Sequence, residues 1–234
     1  MNNLNAEVGN NNCQAKAIMM LGAPASGKGT QARVLAQRLG FFHLESGTVS
    51  KRKIESDSKD PEIQLARECY QKGELVPTKI YTKWLVELIE GKSKTYPGFV
   101  LDGSPRTVYE SEQATAMFEK LYKPTEIFAF VLVISKDTAI DRALKRRICE
   151  KCQHPIPFSP ETAGLIICPV SGCGGRVVAK SLDKPEIIER RLEVFEVETL
   201  PAIIYLRSKG YLREIDGDQP ISKVTEDIFK VLGL

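Results

Sequence analysis

The chain has 234 residues, 42% of them hydrophobic, and 33 basic against 30 acidic side chains give a net charge of +3. That length accommodates one well-buried α/β domain carrying inserted subdomains, and no apolar run approaches the ~18 residues of a membrane span. The charge is too mild to suggest a nucleic-acid partner; the clusters Lys51-Arg52-Lys53 and Lys145-Arg146-Arg147 suit small phosphate-bearing substrates better.

In chain order, residues 1–15 are rich in Asn and lack an apolar core, so they read as a disordered tail. They resemble neither a signal peptide nor a transit peptide, and the expected location is the cytoplasm. The run Ala17–Leu21 looks like a buried strand, and Gln31–Leu39 carries Ala32, Val34, Leu35 and Leu39 at helical spacing. Between them lies Gly22-Ala23-Pro24-Ala25-Ser26-Gly27-Lys28-Gly29-Thr30. A small-residue turn between strand and helix lets backbone N–H groups close around phosphates. The helix N-terminus adds its dipole, and Lys28 adds a point charge.

Ser46 is expected to cap a helix through Glu55, followed by helices over Pro61–Gln71 and Thr78–Glu90. A second strand, Gly98–Asp102, precedes a helix over Val108–Leu121 and a third strand, Ile127–Ile134. Further helices are expected over Asp137–Arg147 and, as one long element, Pro185–Lys209. A strand at Tyr211–Ile215 and a helix at Ser222–Leu232 close the chain. Such alternation implies an α/β fold with a doubly wound parallel sheet of the P-loop NTPase kind.

Three groups of residues carry chemistry. Asp102 ends an apolar strand, where a carboxylate can order water around Mg²⁺. Arg142 and Arg146 stand four apart, which places them on one face of a helix. Guanidinium groups there can stack on a base and fork around phosphate oxygens. Cys149-x2-Cys152 and Cys168-x4-Cys173 form two short-spaced pairs across a loop, the pattern of a closed, structural zinc site. Gly172, Gly174 and Gly175 permit the tight backbone such a knuckle needs, and a disulfide pairing suits an intracellular chain less well. His154 is a possible substitute ligand, whereas Cys13 and Cys69 are isolated.

The ending Gly-Lys-Gly-Thr resembles the nucleoside monophosphate kinases, and the adenylate kinase family in particular. Asp102-Gly103-Ser104-Pro105-Arg106, Arg142 to Arg147, the Cys insert and Arg191 match that family in order, over about residues 16–234. The resemblance implies a monomeric enzyme that converts ATP and AMP reversibly into two ADP. By it, Lys28, Asp102, Arg106, Arg146 and Arg191 serve the transfer, and Gly22, Gly27, Gly29, Thr30, Ser46, Gly47, Lys51, Gly103 and Arg142 help bind nucleotide. An acceptor-binding insert over 46–77 and a zinc lid over 148–180 follow from it. The chain departs from the family at Ala25, where a glycine is usual, and at Lys51 and Lys180, which replace arginines. Thr48 and Leu182 replace aspartates, and Ser104 replaces a phenylalanine. Glu110 replaces a glutamine that reads adenine, which leaves GMP or IMP open as the acceptor. A weakly active nucleotide-binding zinc module is the other alternative.

Overall fold

Strand β1, Ala17–Gly22, is buried along its whole length, and strands line up in parallel on both sides of it. The computed structural model describes residues 15–56, 58–71, 74–152, 154–158, 162–179 and 185–234. Of the expected tail over residues 1–15, all but Ala15 lie outside them (Cys13 with the rest), as do the departures at Lys180 and Leu182. Ala15 is instead fully buried in the core, so the ordered chain begins one residue inside the expected tail.

After β1 come α1 (Lys28–Leu39), β2 (Phe42–Glu45), α2 (Ser46–Ile54), α3 (Pro61–Gln71), α4 (Thr78–Lys92), β3 (Phe99–Asp102), α5 (Val108–Leu121) and β4 (Ile127–Val133). Then follow α6 (Lys136–Leu144), the short strands β5 (Arg147–Cys149), β6 (Pro155–Ile156) and β7 (Val177–Ala179), α7 (Pro185–Val194), α8 (Leu200–Ser208), β8 (Leu212–Asp216) and α9 (Ile221–Val231). The central sheet has the order β2-β3-β1-β4-β8, every neighbour pair parallel, and β6-β5-β7 make a separate antiparallel sheet.

Because side chains alternate along a strand, β1 feeds two cores. Ala17, Met19 and Leu21 join Phe99, Leu101, Ala129 and Val131 on the face covered by α4, α5 and α8. Ile18 and Met20 join Val100, Phe130 and Leu132 on the face covered by α1 and α9. Near-continuous apolar strands, covered on both sides, are what a parallel sheet requires. A third, smaller core packs Ala139 and Ala143 of α6 against Ile188 and Leu192 of α7. No helix of the described residues is long and apolar enough to cross a membrane.

Several expectations are corrected. Strand β2 is a further element, short and only partly buried, so its pattern is weak. Helix α1 begins at Lys28, earlier than Gln31, because Gly27 at φ 96° makes the turn immediately before it. Ser46 does not cap α2: Glu45 holds that place without a side-chain cap bond, and the Ser46 hydroxyl is engaged elsewhere. Helix α6 stops at Leu144, so Arg146 follows it in a turn and Arg147 opens β5. The expected helix Pro185–Lys209 is interrupted by a π-helical turn over Phe195–Thr199. Pro201 removes one backbone donor just beyond that turn, where the regular ladder resumes as α8.

The start of β3 is the tightest point of the sheet. A Cβ added at Gly98 would stand 2.5 Å from the Lys16 carbonyl oxygen and 2.8 Å from the Phe41 ring. Phe99 N–H donates to that same carbonyl at 2.7 Å, so the backbone there has no freedom to retreat. We expect Gly98→Ala to cost about 2 kcal/mol of stability, lowering the melting midpoint by ~4–8 °C in a thermal scan.

Candidate active site

The loop from Gly22 to Thr30 turns on residues that few side chains tolerate. Gly22 has φ 142°, and a Cβ on it would come within 2.6 Å of Ser26 Oγ and 2.9 Å of the Leu132 carbonyl oxygen. Ala25 takes φ 63°, a left-handed conformation that costs an L-residue roughly 1–2 kcal/mol. Its methyl offsets part of this by packing on the α6–α7 core, which gives the departure from glycine a physical account. Ser26 N–H donates to the Ala23 carbonyl at 3.1 Å and closes the turn.

Lys28 opens α1, and its Nζ donates to the Ala23 carbonyl oxygen at 3.1 Å. Burial pushes its ammonium down to about 7; nearby Asp102 works against this, and Arg191, Arg106 and Arg146 add to it. The charges of Asp102, Arg106, Arg146 and Arg191, the other four residues expected to serve the transfer, are all felt at Lys28. Gly29 lies so close to Asp102 that an added Cβ would be 3.0 Å from Oδ2, which accounts for glycine directly after the lysine. Thr30 follows in the first turn of α1.

Asp102 ends β3, and the chain then turns through Gly103 at φ 70° and a cis Ser104–Pro105 bond to Arg106. Arg106 Nε donates to the Gly103 carbonyl at 2.6 Å, and Nη2 donates to Ser46 Oγ at 2.9 Å. That second bond ties the β3 turn to the start of α2. Glu110 is buried, with Oε2 accepting the Arg106 backbone N–H at 2.8 Å and the Ser104 hydroxyl at 3.3 Å. Gly47 and Lys51 are exposed on α2, and Lys51 pairs with Glu55 at 3.7 Å. Thr48 Oγ1 donates to Glu45 Oε2.

Beyond β4, Arg142 and Arg146 part company. Arg142 Nη1 donates to the Gly217 carbonyl at 2.9 Å, and Nη2 lies 3.8 Å from Asp218, so this residue grips the loop after β8. Arg146 contributes to the field at Lys28. The expected shared helix face is not formed, because α6 ends between the two. Arg191 lies on α7, packed through Ile188 and Leu192 against α6.

The four cysteines of the insert converge, with their sulfurs all within 4.8 Å of one another. Cys149 and Cys173 Sγ are 3.6 Å apart, as are Cys152 and Cys168 Sγ. These are no disulfides. They approach the ~3.8 Å edge of a tetrahedron with Zn–S bonds of about 2.3 Å. Backbone N–H groups of Cys152 and Lys151 reach Cys149 Sγ at 3.4 Å and pull its thiol down to about 7. Gly172 and Gly174 have positive φ, and a Cβ on Gly175 would lie 2.5 Å from Cys149 Sγ. His154 is not in the cluster; its carbonyl oxygen accepts the Cys149 N–H.

His43 was not anticipated. Its Nε2 lies 3.4 Å from Asp102 Oδ2, across the parallel pairing of β2 with β3. No motif marks it, and only recognition of β2 as a strand next to β3 could have found it.

A family model described as adenylate kinase matches residues 20–211. An adenylate kinase of Lachnospira eligens is 34% identical over 221 residues, 92% of this chain and 99% of the relative. One from Caldanaerobacter subterraneus is 33% identical over 218 residues (92% and 95%), and one from Clostridium tetani 32% over 219 (92% and 98%).

The lowered Lys28 ammonium makes nucleotide binding proton-linked. At pH 8 a group near 7 is mostly neutral, and bound phosphates favour its charged form. Binding then draws a proton from buffer. Calorimetry of ATP binding at pH 8 in buffers of different ionisation enthalpy is expected to show uptake approaching ~1 proton per nucleotide, with affinity falling as pH rises further.

Proposed function

The chain belongs to the adenylate kinase family, and we propose that the cleft at the carboxyl edge of its sheet transfers a phosphoryl group reversibly between ATP and AMP. The carrying observation is Asp102 set against the Gly29 backbone beside Lys28, with Arg106 tied to Ser46 and the charges of Arg106, Arg146 and Arg191 all felt at Lys28. Transfer of this kind needs little covalent help from the protein. It needs donor and acceptor aligned and the charge on the moving group neutralised in a site that excludes water. Lys28 and the loop N–H groups take the ATP phosphates, Arg146 and Arg191 face them from the other side, and Arg106 takes the acceptor phosphate. Arg142, fixed by Gly217 and Asp218, stands on the donor side.

The relatives favour adenylate over the guanylate or inosinate alternative. Glu110, the reason for raising that alternative, has one oxygen occupied by its own turn. The full set of cationic groups argues against a merely binding module. Magnesium accompanying ATP fits the buried carboxylate of Asp102, a hard oxygen donor. There it would shield the phosphate charges.

Residues 46–77 form the acceptor-binding insert in this reading, since Ser46 already holds Arg106. Residues 148–180 form the lid, where Cys149, Cys152, Cys168 and Cys173 would hold one structural zinc. A reducing cytoplasm is the setting that suits cysteines serving as metal ligands.

With ATP and a panel of monophosphates, AMP turnover should exceed GMP and IMP by a wide margin; the reverse order overturns the adenylate reading. Arg106→Ala should lower kcat/KM for AMP by about 10²–10³ while ATP affinity holds. Metal analysis should find ~1 zinc per chain. Gly175→Ala, which drives a methyl onto Cys149, should lose that zinc and lower the thermal midpoint.

A further inference from the structure

Glu110 is a carboxylate where apolar packing would be cheaper. It is 4% exposed, and burial raises its carboxyl above the usual range, with the Arg106 N–H and charge pulling it back. Its polar ties run to one place. Oε2 accepts from Arg106 N–H and from Ser104 Oγ, at the two ends of the Ser104–Arg106 turn.

An acidic residue in the first turn of a helix ordinarily reaches back to the N-cap N–H. Here the N-cap is Thr107, whose hydroxyl accepts the Glu110 N–H at 3.2 Å. The Glu110 carboxylate bypasses Thr107 and takes the N–H of the residue before it. Helix capping alone does not call for that choice. The residue so held is Arg106, whose guanidinium is pinned separately by the Gly103 carbonyl and by Ser46.

We propose that Glu110 is a positioning residue for Arg106: its buried carboxylate locks the Ser104–Arg106 turn and thereby sets the direction in which the guanidinium meets the acceptor phosphate. The inference rests on the assignment of Arg106 to that phosphate. A displacement of ~1 Å at such a group is enough to cost a hundredfold in rate. The charge of Glu110 is also felt by Tyr81 on α4, and Glu110 feels that of Glu198 in the π turn. Neither duplicates the Arg106 bond.

The test compares Glu110→Ala, Glu110→Gln, Arg106→Ala and the double variant Arg106→Ala/Glu110→Ala in steady-state kinetics, alongside ATP binding. Glu110→Ala should lower kcat/KM for AMP by roughly ten- to a hundredfold, the worth of a hydrogen bond to a charged group, and leave ATP affinity unchanged. Glu110→Gln should restore most of the loss, because an amide oxygen still accepts the Arg106 N–H. In the Arg106→Ala background, removing Glu110 should cost nothing further. If Glu110→Ala does not fold, Glu110→Asp, one methylene short, carries the same expectation.

Equal losses in the Ala and Gln variants, a parallel fall in ATP affinity, or full additivity with Arg106→Ala would each overturn the proposal. Normal damage from Arg106→Ala with a harmless Glu110→Ala overturns it while sparing the assignment of Arg106. A harmless Arg106→Ala removes that assignment, and the proposal with it.

Discussion

The structure is organised around like charges held close together in a partly dry place. Lys28, Arg106, Arg146 and Arg191 share one field, and Asp102 is the acidic group that counters it at Lys28. Like charges do not gather unaided, which is part of why the Lys28 ammonium is pushed down to about 7, and the backbone must hold these groups in place. The parallel sheet does this. Lys28 follows β1, Asp102 ends β3 with Arg106 just beyond it, and Arg146 follows the helix after β4. Their positions are set by strands buried on both faces.

The remaining cation enters from outside the sheet. Arg191 comes on α7, whose apolar side meets α6 and the methyls of Ala23 and Ala25. That small core connects the phosphate loop to the two helices that flank the cysteine insert. Ala25 thus belongs to two systems, a strained turn and a packing joint, and a glycine there would serve only the first. The π turn at Phe195–Thr199 lies directly beyond α7, with Thr199 buried and Val197 exposed. It re-aims the chain between the helix that carries Arg191 and the helix that packs against the sheet.

What could be read in the sequence depended on whether the cause was local. Strong periodic or apolar segments such as Pro61–Gln71 and Val108–Leu121 occur where their patterns placed them. The phosphate loop was equally plain, since its glycines report backbone requirements that few other residues can meet. The cysteine cluster was legible from spacing. Strand β2 was not, being four residues long and half-exposed, and with it went the contact of His43 with Asp102. Arg142 and Arg146 were placed on one face by counting, but α6 stops at Leu144, two residues before the pairing would be completed. The identity of a side chain was legible; its partner usually was not.

Glu110 shows why that distinction matters. Taken as an isolated letter, glutamate at a base-reading position implies a base with different donors. In the folded chain its Oε2 is already bonded to Ser104 and Arg106. Ser104 is itself one of this chain's departures, and its hydroxyl is what a bulky aromatic ring could not offer. The two substitutions therefore fit together: the serine supplies a second donor to the buried carboxylate, alongside the Arg106 N–H. Specificity inferred from one position fails when the position is coupled to another. Here the coupled pair redirects Glu110 from recognising a base to holding an arginine.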